Sequence, residues 1–259
     1  MSRKTLFILP LALLMSASAG NADLLAEQRL SDTLRNAPDL RGDVVELQAE
    51  GAAVAAIFTA HQRGSLRGGV VLLHDRGENA DHREVIRPLR LGLAEAGWET
   101  LSVQLPIAYR DESSSAWQAR GTSIRARLQA ALDWLRKRDL ERLAIIAHGD
   151  SGTLALQQLA AKAPPELAAL VLINATVRRD DAAGLDALRD FDLPLLDIYP
   201  ERGSAQALDN AATRRAAAVS GGNTAYRQVD LSGARAGFRG TEDALLARVR
   251  GWLAASTKP

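Results

Sequence analysis

Short apolar runs alternate along the chain with longer segments of helical spacing. Residues 43–50 and 52–60 are two strand candidates around Gly51 and read as a hairpin. Residues 68–74, Gly-Gly-Val-Val-Leu-Leu-His, form a continuous apolar run suited to a central strand buried on both faces. Over 83–96, Val85, Ile86, Leu89 and Leu93 recur at helical spacing, and Gly97 supplies the stop. A strand over 100–105 is closed by Pro106. A polar loop, 107–119, carries Ser113, Ser114, Ser115 and Trp117 and leads into a helix over 122–138. The apolar run 143–147 then ends in a tight Gly-containing turn, with a helix-forming segment over 154–162. Further on come a strand at 170–174, a short helix or turn at 180–190, a strand at 193–199, a helix at 205–219, a strand at 226–231 and an amphipathic helix at 241–253. Ahead of the hairpin, residues 23–36 carry an imperfect stripe of Leu24, Leu25, Leu30 and Leu34, expected to pack on the body.

A hairpin followed by alternating strands and helices predicts an α/β fold: a mostly parallel sheet of about eight strands with helices on both faces. Between 175 and 191 there is too little chain for a separate cap domain, so a site at the carboxyl edge of the sheet is expected to be open. The length of 259 residues, 47% hydrophobic and 24% charged, suits one such domain over 41–257, preceded by the helical segment 23–40.

Residues 1–22 have the pattern of a secretory leader. Arg3 and Lys4 begin it, residues 6–15 form a short apolar core, and small residues offer cleavage after Ala19 or Ala22. The apolar run is shorter than a membrane span. The expected destination is periplasmic or secreted, with no stable membrane insertion after cleavage. The chain has no Cys, which excludes disulfides and lipidation at the cleavage site. Without Arg3 and Lys4, 30 basic residues face 31 acidic ones. That balance gives no reason to expect nucleic acid as a partner. P-loops, dinucleotide fingerprints, zinc-ligand spacings and glycosidase carboxylate pairs are lacking, so no cofactor and no resident metal are expected.

Three stretches carry a resemblance. Residues 69–75, Gly-Val-Val-Leu-Leu-His-Asp, resemble the strand and oxyanion loop of α/β-hydrolases. Residues 146–152, Ile-Ala-His-Gly-Asp-Ser-Gly, resemble their nucleophile elbow, where G-x-S-x-G lifts a nucleophile above the sheet. Residues 97–106, Gly-Trp-Glu-Thr-Leu-Ser-Val-Gln-Leu-Pro, with Pro88-Leu89-Arg90 before them, resemble the domain-of-unknown-function family 3530. These are exported bacterial α/β-hydrolase-like proteins without an established activity. The resemblance implies an α/β-hydrolase-like fold over about 40–255.

Laid on that pattern, the nucleophile position falls on Gly149, which has no side chain. Ser151 lies two residues further into the helix, where a rotation of about 200° turns it away; a serine at a helix start is also a favoured cap. The fold orders its triad as nucleophile, acid, His. The acid position falls near Gly203, with Glu201 as a displaced substitute; Asp197, within its strand, is expected to serve structure. Arg235 or Ala236 stands where the His belongs, and no His follows His148. Arginine cannot replace it as a general base.

The leading expectation is therefore an exported pseudo-hydrolase that binds an unknown small molecule or protein partner, with no catalytic residues. The alternative is an esterase-like hydrolase with an unusual site, drawing on Ser151 or on the edge where His74 and His148 end neighbouring strands. At that edge His74, Asp75, His148 and Asp150 offer a metal or acid–base set, or else the two His anchor loops. A further expectation is an anion at the helix N-terminus, in space left by Gly149, with Arg76 and Arg235 approaching. Trp117 either lines the same mouth or packs its loop down. His61 and His82 are expected at the surface, His82 at a helix start.

Overall fold

The structure, a computed structural model, describes residues 25–109 and 111–257. The leader, 1–22, lies outside the described residues. Helix α1 runs over residues 25–35. Arg127 clamps it to the body, its Nη2 donating to both carboxylate oxygens of Glu27 at 3.0 and 2.8 Å.

Eight strands form one sheet in the order β1-β2-β4-β3-β5-β6-β7-β8. β1 (Asp43–Ala49) and β2 (Ala52–Thr59) make the expected hairpin, and β2 also runs antiparallel to β4 (Trp98–Val103). The remaining pairings are parallel: β4 with β3 (Gly68–Leu73), β3 with β5 (Leu143–His148), then β6 (Leu167–Ile173), β7 (Leu195–Pro200) and β8 (Tyr226–Leu231) in turn. The central strands β3, β4 and β5 are buried at every residue; β3 and β5 accordingly read as near-continuous apolar runs, while β4 also buries Glu99, Thr100 and Ser102.

Helices cover both faces. On one, α2 (Ile86–Glu95) and α8 (Glu242–Ser256) bury Ile86, Leu89, Leu93, Leu245, Val249 and Leu253 against Val70, Leu72, Ala144 and Ile146. On the other, α4 (Gly121–Arg136), α5 (Asp150–Ala161), α6 (Ala182–Asp190) and α7 (Ala205–Ser220) pack on Val71, Leu73, Ile145 and Leu172. The expected polar loop 107–119 contains a short helix, α3 (Ser114–Ala119), started by the Ser113 hydroxyl, which accepts from the Ala116 N–H. Only α6 lies between β6 and β7. Among the described residues no helix is long and apolar enough to cross a membrane.

Candidate functional site

The elbow begins where β5 ends at His148. Gly149 turns the chain at φ 61° and ψ −133°, and α5 starts at Asp150. A positive φ costs a residue with a side chain roughly 1–3 kcal/mol; glycine avoids that strain. Gly152 allows the new helix close to β6, since a Cβ there would lie 2.9 Å from that of Ala175.

The place beside Gly149 is filled from the neighbouring strand. Leu73 of β3 pairs with Ala147 of β5, so the loop after β3 emerges beside the elbow. Asp75 Oδ1 accepts from the Arg76 N–H and from the Asp150 N–H, both at 2.7 Å. The free end of α5 thus holds a carboxylate of the chain itself. Burial pushes the Asp75 carboxyl up; His148 draws it down, while Asp150 adds to the rise. Arg76 reaches back over the turn to Asp150 Oδ2 at 3.1 Å and donates to the Glu112 carbonyl.

Ser151 is fully buried. Its hydroxyl donates to the His148 carbonyl at 2.8 Å and lies 3.4 Å from the Leu73 carbonyl. His74 is also spoken for. Its Nδ1 donates to the Asp75 carbonyl at 2.8 Å and its Nε2 accepts from the Leu105 N–H at 2.9 Å, behind the elbow. Burial holds this imidazole down at about 4, against the pull of the Asp75 carbonyl and the Glu78 charge.

His148 has a different partner, Glu78, which no sequence motif marks. Its Nδ1 lies 3.0 Å from Oε2 of Glu78, and Nδ1 of His82 lies 3.3 Å from the same oxygen. Burial alone would raise the Glu78 carboxyl, but the hydrogen bond and charge of His148, with the charge of His82, hold it at about 2. His82 is not at a helix start. α2 begins four residues later, and the turn before it aims His82 inward, with Nε2 3.0 Å from Glu84 Oε2. Local bonds set this loop: Gly77 takes φ 74°, the Glu78 N–H bonds to the Asp75 carbonyl and the Ala80 N–H bonds to Gln104 Oε1. Buried Arg90 ties Asp81 to Thr59 beneath it.

These groups line a cavity of about 480 Å³, with Asp75, Arg76, Asn174 and Arg239 around it. Arg235 is exposed and does not line it; Arg239, paired with Glu84 at 2.8 Å, stands on that side. Phe238 sits edge-on to His148, ring centres 6.2 Å apart. Trp117 is buried and lines a separate cavity, across the elbow, with Asp150, Leu154 and Arg178. So the structure gathers His148, Asp75 and Arg76 at one mouth, adds Glu78 and His82, and leaves His74, Arg235 and Trp117 outside it. Glu201 accepts from the Gly233 N–H at 2.7 Å and joins two loops.

The model of the family described as "Protein of unknown function (DUF3530)" matches residues 16–115 and 107–255. The chain belongs to that family. No curated protein matches it. Solved structures like this DUF3530 chain include Est1E from Butyrivibrio proteoclasticus, at 12% identity and TM-score 0.64, covering 82% of this chain and 98% of that one. A putative dienelactone hydrolase from Klebsiella pneumoniae is 17% identical with TM-score 0.65, covering 82% and 97%. The dienelactone hydrolase of Anabaena variabilis is 21% identical with TM-score 0.65, covering 84% and 99%. At these identities the likeness is one of fold, and the DUF3530 chain has the α/β-hydrolase fold.

Proposed function

We propose that this chain is an exported α/β-hydrolase-fold protein that lacks Ser-His-Asp catalysis and serves as a binding module, using the cavity beside His148. One observation carries the reading. In this fold an oxyanion hole is made by the N–H after the nucleophile and an N–H from the loop after β3. Here the Asp150 and Arg76 N–H groups occupy those positions, and both already hold Asp75. The position they serve is Gly149, which has no nucleophile to offer. The hydrogen bonds of Ser151 to backbone carbonyls weigh against its taking over that role. The backbone bonds of His74 weigh likewise against a His74/His148 base pair. Export rests on the leader pattern of residues 1–22, with cleavage after Ala19 or Ala22.

The esterase and dienelactone hydrolase names of the structural neighbours choose the test. Purified protein is assayed on a panel of short-chain esters and a dienelactone, with Ser151→Ala and His148→Ala beside it. No turnover above the uncatalysed rate is expected. Turnover lost in either variant would overturn the non-catalytic reading.

A further inference from the structure

The geometry points to a binding site for a divalent first-row transition metal, of the zinc class, formed by Glu78, His82 and His148. One ligand atom from each residue lies within 4.8 Å of the others. The closer distances are more telling. Two imidazole nitrogens, His148 Nδ1 and His82 Nδ1, stand 3.0 and 3.3 Å from one carboxylate oxygen, Glu78 Oε2. A zinc ion about 2.1 Å from each of three such atoms sets tetrahedral ligand separations of about 3.4 Å. The cluster is thus already near the size that a metal would impose.

The surroundings fit the same ligand. Glu84 Oε2 lies 3.0 Å from His82 Nε2. A carboxylate on the second ring nitrogen fixes the tautomer that offers Nδ1 to a metal and makes it more basic. The Asp75 N–H donates to Glu78 Oε2 at 3.2 Å and aims that carboxylate. His148 and Glu78 side chains are 3% and 6% exposed, so most of the cost of removing them from water is met by the fold. Three carboxylates, Asp75, Glu78 and Glu84, line the cavity against two guanidinium groups, Arg76 and Arg239, and Arg76 is already paired with Asp150. That excess of negative charge favours a cation. Two nitrogens and one carboxylate suit zinc, cobalt or nickel; calcium and magnesium prefer shells built mainly of oxygen. Three protein ligands leave a coordination position open, and the cluster borders the cavity. Sequence spacing hides the set because Glu78 and His82 stand in the loop after β3 while His148 ends β5, 66 residues beyond His82.

The test uses protein expressed from the full sequence, stripped with chelator and titrated with Zn²⁺ by calorimetry, and with Co²⁺ by visible absorption. One equivalent of each should bind, with the intense absorption of cobalt in a four- or five-coordinate nitrogen-and-oxygen shell. Glu78→Gln, His82→Ala and His148→Ala should each weaken zinc by about 100-fold or more, and Glu84→Gln by about 10-fold or more. His61→Ala, outside the cluster, should leave it unchanged. Glu78→Gln is isosteric, and circular dichroism separates lost ligation from lost folding in every variant. Absence of stoichiometric zinc binding would overturn the proposal, and so would affinity unchanged in folded Glu78→Gln and His148→Ala. The site would exist whether or not the elbow is catalytic. Ester turnover by metal-free protein therefore tests only the non-catalytic reading, and zinc binding tests only the metal site.

Discussion

A Cβ placed on Gly149 would stand 1.9 Å from Cγ of Asp75, so the elbow residue and the loop carboxylate compete for one volume. Only one of the two can carry a side chain there, and in this chain it is Asp75. Gly149→Ser must expel the carboxylate from two charge-assisted hydrogen bonds, worth about 1.5–3 kcal/mol each. It also adds a side chain at positive φ, costing about 1–3 kcal/mol. A loss of roughly 4 kcal/mol or more is expected in urea unfolding. Asp75→Gly should cost less. Combined, the two should cost at least about 1 kcal/mol less than their sum, because the clash no longer exists. Strict additivity would show that the two positions do not compete.

The same carboxylate sets what the helix end can bind. With Asp75 in place, the Arg76 and Asp150 N–H groups are taken, and a free anion has nothing to displace it with. In Asp75→Gly the two amides face the gap at the start of α5, where an anion is favoured. Acetate or phosphate should then shift the amide NMR signals of residues 76 and 150 in the variant and leave them unmoved in the wild type. Equal shifts in both proteins would argue against Asp75 as the resident anion.

His74 makes stability depend on pH in a stated direction. Its imidazole is held at about 4 in the folded protein against an ordinary 6.5, chiefly by burial. As pH falls through about 6.5 the unfolded chain takes up this proton and the folded chain does not until about 4. The contribution is therefore complete above pH 6.5 and lost as pH falls towards 4, a change of roughly 3 kcal/mol. His74→Gln should unfold more easily at pH 7.5, having lost two backbone partners, yet show a shallower decline towards pH 4. Urea unfolding across that range gives both slopes. Parallel curves would remove His74 as a source of the pH dependence.

How much of this was legible in the residues depends on how local each signal is. The sheet is readable because β3 and β5 are buried throughout and their apolar runs announce it. β4 nevertheless starts two residues early, at Trp98, because Trp98 and Glu99 are buried with the rest of the strand. The elbow was readable because strand, turn and helix are contiguous, and Gly149 falls in the turn. The sequence places Asp75 in a metal or acid–base set with His74, His148 and Asp150, but not as the occupant of the elbow. That depends on a β3–β5 pairing and on loop bonds that no periodicity records. Glu78 carried no signal, standing in a polar stretch between a strand and a helix. The apolar spacing of 83–96 puts His82 at a helix start. The bond from the Arg87 N–H back to the His82 carbonyl instead closes a wider turn ahead of α2. Arg235 and Arg239 are a few residues apart in one loop, and only its fold shows which faces the cavity.

The place of Asp197 within a strand points to a structural role, and its contacts make that role measurable. It is fully buried, and Arg214 grips both its oxygens at 2.9 Å from Nε and Nη2. The Tyr226 hydroxyl and Gln228 Nε2 donate to Oδ2 at 2.8 Å each. Burial and the Asp197 charge push the Tyr226 phenol well above its ordinary range, so it should not ionise before the protein unfolds in alkali. Asp197→Asn leaves the Arg214 guanidinium buried without its counter-charge. Breaking a buried pair this way costs about 3–5 kcal/mol. Replacing both partners with apolar residues, as in Asp197→Leu with Arg214→Met, should cost less than Asp197→Asn with Arg214 retained. Urea midpoints for the two proteins decide this. A double variant as unstable as Asp197→Asn would show that the cost comes from lost packing or lost bonds to Tyr226 and Gln228 rather than from the stranded charge.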